Sequence, residues 1–209
     1  MKWLFTILAL ASTNLLFGQN YGSKIDPSTG FNDRLKSASS RIESIVCDFE
    51  QVKFISVLAN PNKSRGKFYY KKEQNICLEY SNPQGNAIVM NGVKFKMIAN
   101  GKTTVVGMKA NPMMRQLGSM LAACMTGNIA LFGKESRAEY YESSTYFTVV
   151  INPTSSRVKS HLKRIILQFE KKDMTLSMMR MEESDTDYTQ YLFDNKKLNG
   201  SIDGNKFKI

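Results

Sequence analysis

The sequence predicts a mainly β protein with helices (α+β), in which one strongly curved antiparallel sheet wraps over one or two helices. Two observations predict the sheet: apolar and polar residues alternate over much of the chain, and Asn-Gly pairs separate several alternating segments. A third observation predicts the helices, because apolar residues recur at steps of three and four in two segments. With 209 residues and no linker between these segments, the chain has the length of one domain.

The first helical pattern covers residues 28–46. Asp26-Pro27 stands directly before it, and proline suits the first turn of a helix. Apolar residues follow at steps of four, three, four and three, so they form one face of an amphipathic helix. These residues are Phe31, Leu35, Ala38, Ile42 and Ile45.

Period-two alternation begins after Cys47 and continues to the pair Asn100-Gly101. A second pair, Asn91-Gly92, also lies between alternating segments, and Asn-Gly is strongly favoured in two-residue β-hairpin turns. We therefore expect an antiparallel meander in this half of the chain. In the second half, the same alternation predicts strands over residues 146–151, 162–169, 174–181 and 188–193.

The second helical pattern is rich in methionine and covers residues 111–128. Asn111-Pro112 is a helix start signal, and Gly127-Asn128 is a stop signal. Met and Leu at helical spacing usually indicate a core helix. Methionine is also flexible and polarizable, so the same pattern suits a lid over a site for an apolar ligand. The lid residues would be Met113, Met114, Leu117, Met120 and Leu121.

The N-terminus has the pattern of a signal peptide. An apolar run follows a short positive region, ends at Phe17, and is followed by the small residue Gly18. The run is too short to span a bilayer as a helix. We expect cleavage near Gly18 or Gln19, a signal peptide over residues 1–19, and one exported domain over residues 20–209. The alternative is a buried N-terminal helix of the folded protein.

The chain is basic, because 29 Lys and Arg against 18 Asp and Glu leave a formal net charge of +11. For an exported protein, this charge favours anionic membrane surfaces or acidic protein segments over nucleic acid. The basic residues are scattered in doublets, however, which is typical of a solvated surface. Both interpretations stay open, and we expect a monomer that does not bind nucleic acid. The doublets are Lys71-Lys72, Lys171-Lys172 and Lys196-Lys197.

Cysteine and histidine are few and widely spaced. The chain has three Cys (Cys47, Cys77 and Cys124) and one His, and no Cys-x-x-Cys pair that would indicate a zinc site. The single histidine, His161, lies in a polar segment with no acidic residue beside it to orient it as a general base. We therefore expect no metal, no cofactor and no enzymatic activity. Whether any two of the three cysteines form a disulfide is open.

Short motifs in a fixed order resemble the outer-membrane lipoprotein carrier family, the LolA-like proteins of the bacterial periplasm. A Phe-x-Gln motif, Phe49-Glu50-Gln51, follows the first helix as it does in that family. Residues 66–71 are similar to the family's Gly-x-Leu-aromatic strand, and Asn91-Gly92 stands where the family has an Asp-Gly hairpin. Asn111-Pro112 precedes a helix as in relatives, and residues 193–207 are similar to the family's closing segment.

The resemblance implies an unclosed antiparallel β-barrel of about eleven strands, covered by the N-terminal helix and the Met-rich lid helix. It also implies a function, because the family takes acylated lipoproteins from an ATP-driven releasing complex of the inner membrane to the outer membrane. The expected partners are acylated lipoproteins, that releasing complex and an outer-membrane acceptor. A sensor or adaptor built on the same half-barrel, and a general periplasmic lipid-binding protein, are the alternatives.

The resemblance also suggests site residues. Lys72 stands where the family has an Arg that latches the lid helices, although Lys lacks the planar fork of Arg. Pleat alternation assigns one face of the meander to the lipid-binding cavity, and each of these residues could equally be plain core. The cavity residues would be Phe49, Phe68, Tyr70, Ile76, Leu78, Tyr80, Ile88, Met90, Phe95 and Met97.

Overall fold

The computed structural model of the protein describes residues 21–26, 30–108, 123 and 136–209. The predicted signal peptide lies outside these residues, and so does Cys124. The predicted lid helix, with Met113, Met114, Leu117, Met120 and Leu121, also lies outside them apart from Ala123.

The described residues form one antiparallel sheet of 12 strands, two α-helices and a 3-10 helix. The helices are α1 (Phe31–Ser40), α2 (Ser156–Lys159) and the 3-10 helix Gly204–Phe207. The strands are β1 (Ser23–Ile25), β2 (Ser44–Phe54), β3 (Asn62–Lys71), β4 (Asn75–Asn82), β5 (Gln84–Asn91), β6 (Lys94–Ala99), β7 (Lys102–Gly107), β8 (Ser136–Glu142), β9 (Tyr146–Pro153), β10 (Arg164–Glu170), β11 (Leu176–Glu182) and β12 (Tyr188–Leu198).

Two meanders make up the sheet, and the pairing of β2 with β12 joins them. The strand order is β1-β8-β9-β10-β11-β12-β2-β3-β4-β5-β6-β7, so β1 and β7 are its edges and the sheet is unclosed. The predicted mainly β architecture and the antiparallel meander are confirmed. The sheet has 12 strands where the resemblance implied about eleven.

The Asn-Gly turns occur where the sequence predicts them. Asn100 and Gly101 have φ values of 50° and 74°. Their flanking residues, Ala99 and Lys102, pair with each other across the turn. Positive φ at both central residues is the property of a type I′ turn, whose twist matches that of the strands it joins. Gly92, in the other predicted turn, also has a positive φ of 75°.

Helix α1 is shorter than the sequence pattern predicts. It ends at Ser40 and β2 begins at Ser44, so the prediction of a helix through residue 46 is wrong. Asn199 accounts for the earlier end of the helix, and it lies in the C-terminal segment, residues 199–209, which follows β12. Its side-chain oxygen accepts from the backbone N–H of Glu43 at 2.8 Å, and its backbone N–H donates to the carbonyl of Ser44 at 2.9 Å. Backbone groups that could continue the helix are therefore bonded to a distant segment instead.

Three strands, β1, β7 and β8, have no counterpart among the strands predicted from alternation, and β2 begins at Ser44, before the predicted alternation does. The edge strand β7 shows why, because its sequence Lys-Thr-Thr-Val-Val-Gly places its two valines next to each other. It becomes a strand by pairing with β6 along its whole length, from Lys94 opposite Gly107 to Ala99 opposite Lys102. Backbone pairing with a neighbour decided this strand, and the local pattern did not.

Helix α1 packs against the inner face of the sheet and forms much of the core with it. Phe31, Leu35 and Ala38 are buried in the same apolar cluster as residues from β2 to β12. The Phe31 ring lies 4.9 Å from the ring of Phe147, centroid to centroid. Gly30 precedes the helix and provides no side-chain cap. Because burying a large apolar side chain contributes about 1.5–3 kcal/mol, packing rather than capping stabilises α1.

The C-terminal segment covers part of the outer face, where Phe207 is buried against Cys77 and Val89. Cys47 lies on the other side of the sheet, in the core beside α1. Both cysteines are free thiols, and because they lie on opposite faces they do not pair with each other. Burial raises the pKa of Cys47 to about 12 and that of Cys77 to about 11, so both thiols stay protonated at neutral pH.

The basic doublets are ion-paired in the structure. Each of the three doublets has at least one ammonium group beside a carboxylate, which argues against a continuous basic face at these positions. Lys171 and Lys172 follow the end of β10, as expected for a turn. The ion pairs are Lys72–Glu43, Lys171–Glu142, Lys172–Glu170 and Lys196–Glu170.

Glu170 is the centre of a partly buried charge cluster. Its carboxylate lies 2.6 Å from the ammonium groups of both Lys172 and Lys196. The Lys196 side chain is only 9% exposed, and it also donates to the carbonyl of Leu176 at 3.1 Å. Burial alone would raise the pKa of Glu170, but the hydrogen bonds from the two lysines outweigh burial and lower it.

We predict that Glu170→Gln destabilises the protein at neutral pH and that this difference shrinks in acid. Because the pKa is lower in the folded state, the carboxylate stabilises the fold above its unfolded-state pKa of about 4.3. That contribution is lost as the pH falls through the folded-state pKa. Urea denaturation should give a loss of about 1–3 kcal/mol at pH 7.

The control for this experiment is Glu142→Gln, which changes a more exposed pair. Its side chain is 38% exposed, so we expect a loss of at most about 1 kcal/mol. A loss for Glu170→Gln that is the same in acid as at neutral pH would contradict the prediction.

Candidate functional site

The inner face of the meander is built from rows of side chains that lie opposite one another on neighbouring strands. Pleat alternation puts every second residue of each strand on this face. All members of the first row are buried, and they share the core cluster with α1. The row consists of Ile45, Tyr70, Ile76, Met90 and Phe95, on β2 to β6.

The second row is progressively less covered toward β6. It consists of Cys47, Phe68, Leu78, Ile88 and Met97 on the same five strands. The first three are 1%, 3% and 6% exposed, Ile88 is half-buried, and Met97 is 39% exposed. An apolar surface that is sealed at β2 therefore opens at β6, where Met97 presents a flexible side chain on the inner face.

The third row depends on a glycine. Phe49 stands on β2, Gly66 opposite it on β3, and Tyr80 opposite Gly66 on β4. A Cβ at Gly66 would lie 2.0 Å from the carbonyl oxygen of Glu79 and 2.9 Å from Cε1 of the Phe49 ring. Because Gly66 has no side chain, the Phe49 ring meets the Tyr80 ring edge to face, with centroids 5.1 Å apart and planes at 85°.

Beyond this row the inner face becomes polar. Gln51, two residues after Phe49 on β2, lies opposite Tyr191 of β12. The Tyr80 hydroxyl donates to Oε1 of Gln51 at 2.7 Å. Our sequence analysis placed Tyr80 on this face but missed Gln51 and Tyr191. The signal for Gln51 was the Phe-x-Gln motif itself, because positions i and i+2 of a strand share a face.

The ten residues predicted for the cavity lie together on the inner face. Seven are buried in the core cluster: Phe49, Phe68, Tyr70, Ile76, Leu78, Met90 and Phe95. Tyr80 and Ile88 are partly buried and pack against that cluster, and Met97 is exposed. Their role as ligand contacts stays a prediction. The roles of the five lid residues, which lie outside the described residues, also stay predictions.

The chain matches the family described as outer membrane lipoprotein carrier protein LolA over residues 40–209. It belongs to this family. The match begins at the last residue of α1 and includes β2 to β12. No curated protein matches the chain.

Several solved structures are similar to this LolA-family chain at low sequence identity. An uncharacterized conserved protein from Thermus thermophilus has a TM-score of 0.52 and 8% identity, over 88% of this chain and 94% of that chain. A structure of the MucA/MucB complex of Pseudomonas aeruginosa has a TM-score of 0.51 and 11% identity, over 85% of this chain and 59% of that chain. A LolA superfamily protein from Nitrosomonas europaea has a TM-score of 0.43 and 11% identity, over 85% and 96% of the two chains. The first two show a common fold.

Lys72, the residue predicted to act as a latch, follows the end of β3, whereas Ser64, which pairs with Gln51, lies near the start of that strand. Its ammonium donates to the carbonyl of Ser40, the last residue of α1, at 3.2 Å and contacts the Glu43 carboxylate. Its backbone N–H donates to the carbonyl of Glu43 at 2.9 Å. These partners tie Lys72 to the end of α1, whereas the predicted lid helix at 111–128 lies outside the described residues. Among the residues that the structure describes, no helix is long and apolar enough to cross a membrane.

A cavity of about 870 Å³ lies beside Lys72, between the β3–β4 turn and the C-terminal segment. Charged and polar residues such as Glu43, Glu73 and Asn199 line most of it. Among the described residues that line it, the large apolar ones are Ile202 and Phe207. This lining does not suit acyl chains, so the apolar inner face is the better candidate site for a lipid.

We predict that Gly66→Ala destabilises the protein by about 1–3 kcal/mol, because its Cβ would force apart the β4 backbone and the Phe49 ring. Denaturant unfolding measures the loss. Gly107→Ala is the matched control, since a Cβ there meets nothing within 4 Å and its stability should stay close to the wild-type value. Equal stabilities for the two variants would show that Gly66 is not required for this packing.

Proposed function

We propose that the protein is a periplasmic carrier that binds the acyl chains of lipoproteins on its inner face and takes them from the inner to the outer membrane. The observation that carries this proposal is the apolar inner face, which is buried in the core shared with α1 at the row of Ile45 and is exposed at Met97. Membership of the lipoprotein carrier family supports it. The proposal assigns the protein a binding role without catalysis.

Energetics explain why partial cover suits a carrier. Burying one CH₂ group of an acyl chain contributes about 0.8 kcal/mol. Three chains of about 15 carbons would then contribute about 36 kcal/mol, well above the ceiling of about 20 kcal/mol for non-covalent affinity. A site that shielded every carbon tightly would never release its cargo. A surface that is half-buried at Ile88 and open at Met97 shields the chains only in part.

The proposed partners follow from the cargo. Acylated lipoproteins would be received from an inner-membrane releasing complex and passed to an outer-membrane acceptor, with the carrier acting as a monomer. A general lipid-binding protein is the alternative. It would bind free fatty acids or phospholipids as tightly as it binds an acylated lipopeptide, and a competition experiment with these three ligands distinguishes the two functions.

Met97 provides a test of the inner face that does not disturb the core. We predict that Met97→Glu weakens binding of an environment-sensitive apolar dye, and of a triacylated lipopeptide that displaces it, by about tenfold or more. The reason is that an ionised carboxylate beside an acyl chain is strongly unfavourable. Because Met97 is already 39% exposed, the variant should fold, and circular dichroism checks that it does.

The matched control is Val105→Glu. Val105 is 49% exposed on the adjacent strand β7, but it lies opposite Lys96 and therefore on the outer face. The Val105→Glu variant should bind the dye and the lipopeptide as tightly as the wild type does. If both variants bind normally, the inner face is not the site, and the proposed function loses its main support.

Lys72 gives a second test, of the latch. We predict that Lys72→Leu changes the rates of cargo uptake and release more than it changes the melting temperature. The effect on stability should be small, because the ion pair between Lys72 and Glu43 is exposed and such pairs contribute at most about 1 kcal/mol. The effect on the rates should be larger, because the bonds of Lys72 to Ser40 and Glu43 connect α1 to the β3–β4 turn. Transfer of a purified acylated lipoprotein from the carrier to acceptor membranes measures the effect. Lys71→Leu is the control, and identical transfer by the two variants would rule out a latch at Lys72.

A further inference from the structure

Three polar side chains stand together on the inner face where its apolar rows end. Gln51 and Tyr191 lie opposite each other on β2 and β12, and Tyr80 lies on β4, across Gly66. Alternation places all three on the same face as Phe49, whose ring contacts those of Tyr80 and Tyr191 at 5.1 Å and 6.2 Å. They form the boundary between apolar rows and the open end of the sheet.

One hydrogen bond fixes the orientation of Gln51 in this group. The Tyr80 hydroxyl donates to Oε1 of Gln51 at 2.7 Å. Burial raises the pKa of Tyr80 and of Tyr191, so both phenols stay protonated at neutral pH and Tyr80 remains a donor. The Gln51 carbonyl therefore has a partner, and its amide nitrogen takes no part in this bond.

The Gln51 amide nitrogen has two N–H donors. Among the described residues, no acceptor is bonded to it, although the side chain is half-buried. The nitrogen is not among the fully buried atoms that lack a partner, so water can reach it. A ligand that supplies an acceptor replaces that water and gains a hydrogen bond at little cost in side-chain order. Tyr80 already holds the Gln51 carbonyl, and the edge-to-face contact with Phe49 over Gly66 holds Tyr80.

The position of the two Gln51 N–H donors on the inner face indicates which chemical group of a bound lipid they would contact. A lipid whose chains lie on the row of Cys47, which opens at Ile88 and Met97, would bring its first polar atoms toward the row of Phe49 and Tyr80, beside Gln51. In acylated molecules these atoms are ester or amide carbonyls. A neutral amide N–H matches a carbonyl oxygen, whereas phosphate groups are bound mainly by Arg, Lys and clusters of backbone N–H groups.

We propose that Gln51, oriented by Tyr80, binds the ester or amide carbonyl that joins an acyl chain to the polar part of the cargo. This inference rests on the proposed function and deepens it, because it assigns a residue that distinguishes acylated molecules from other apolar ligands. The apolar rows would bind any hydrocarbon chain, whereas Gln51 would bind only a chain whose linkage has a carbonyl oxygen.

Two short lipids that differ only in the linkage test the proposal. Dioctanoylglycerol carries two ester carbonyls, and dioctylglycerol has the same chains joined by ethers. Each competes with the apolar dye for the purified full-length protein. We expect the wild type to bind the ester about three- to tenfold more tightly than the ether, which is the usual effect of one neutral hydrogen bond.

Variants then locate the preference. Gln51→Leu, and Gln51→Met as a second replacement in case the first folds poorly, should bind both lipids as the wild type binds the ether. Tyr80→Phe should reduce the preference, because it leaves the Gln51 amide free to rotate. Gln190→Leu, the control, removes a half-buried amide from the residue before Tyr191, on the outer face, and should keep the full preference.

The outcomes separate this inference from the proposed function. A wild type that holds the dye and binds both lipids equally overturns the inference and leaves the carrier function intact. A preference that persists in both Gln51 variants, or that disappears in Gln190→Leu as well, also overturns it. A wild type that binds neither lipid overturns both.

Discussion

The pairing of β2 with β12 is the interaction on which the rest of the structure depends. It joins two meanders, each of which would otherwise end in an open central edge, into one sheet. The pairing extends from Phe54 opposite Tyr188 to Ile45 opposite Leu198, with an irregularity after Asp194. As a result, the inner residues of β2 stand in the middle of the sheet, where they meet side chains from both meanders.

This arrangement accounts for the unequal cover of the inner face. Helix α1 is short and shares one apolar core with the first row, in which Ile45 and Tyr70 are buried, and its end is held by Asn199 and Lys72. Toward β6 the same apolar face emerges at Met97. One surface therefore has two roles: its covered part stabilises the fold, and its uncovered part is available to an acyl chain. The polar group at Gln51 limits this apolar surface at the open end.

Much of the fold could be predicted because its signals are local. Alternation in β3 to β6 identified the inner face, and the Asn100-Gly101 turn took the predicted conformation because both residues tolerate positive φ. The end of α1 could not be predicted, since the step of three from Ile42 to Ile45 suits a helix. Strand β7 was missed for a related reason: its two valines are adjacent, and only its pairing with β6 makes it a strand.

The sequence by itself determined the fold class, the composition of the inner face and the likeness to lipoprotein carriers, because periodicity and turn chemistry depend on residues close together in the chain. Only the tertiary structure decided which of those apolar residues are sealed and which are open. Met90 is buried and Met97 is exposed, although both lie on the inner face of neighbouring strands. Likewise, the Gln51 amide acquires its orientation from Tyr80, which is 29 residues away along the chain. Such contacts join segments that are distant in the sequence, so no local sequence pattern predicts them.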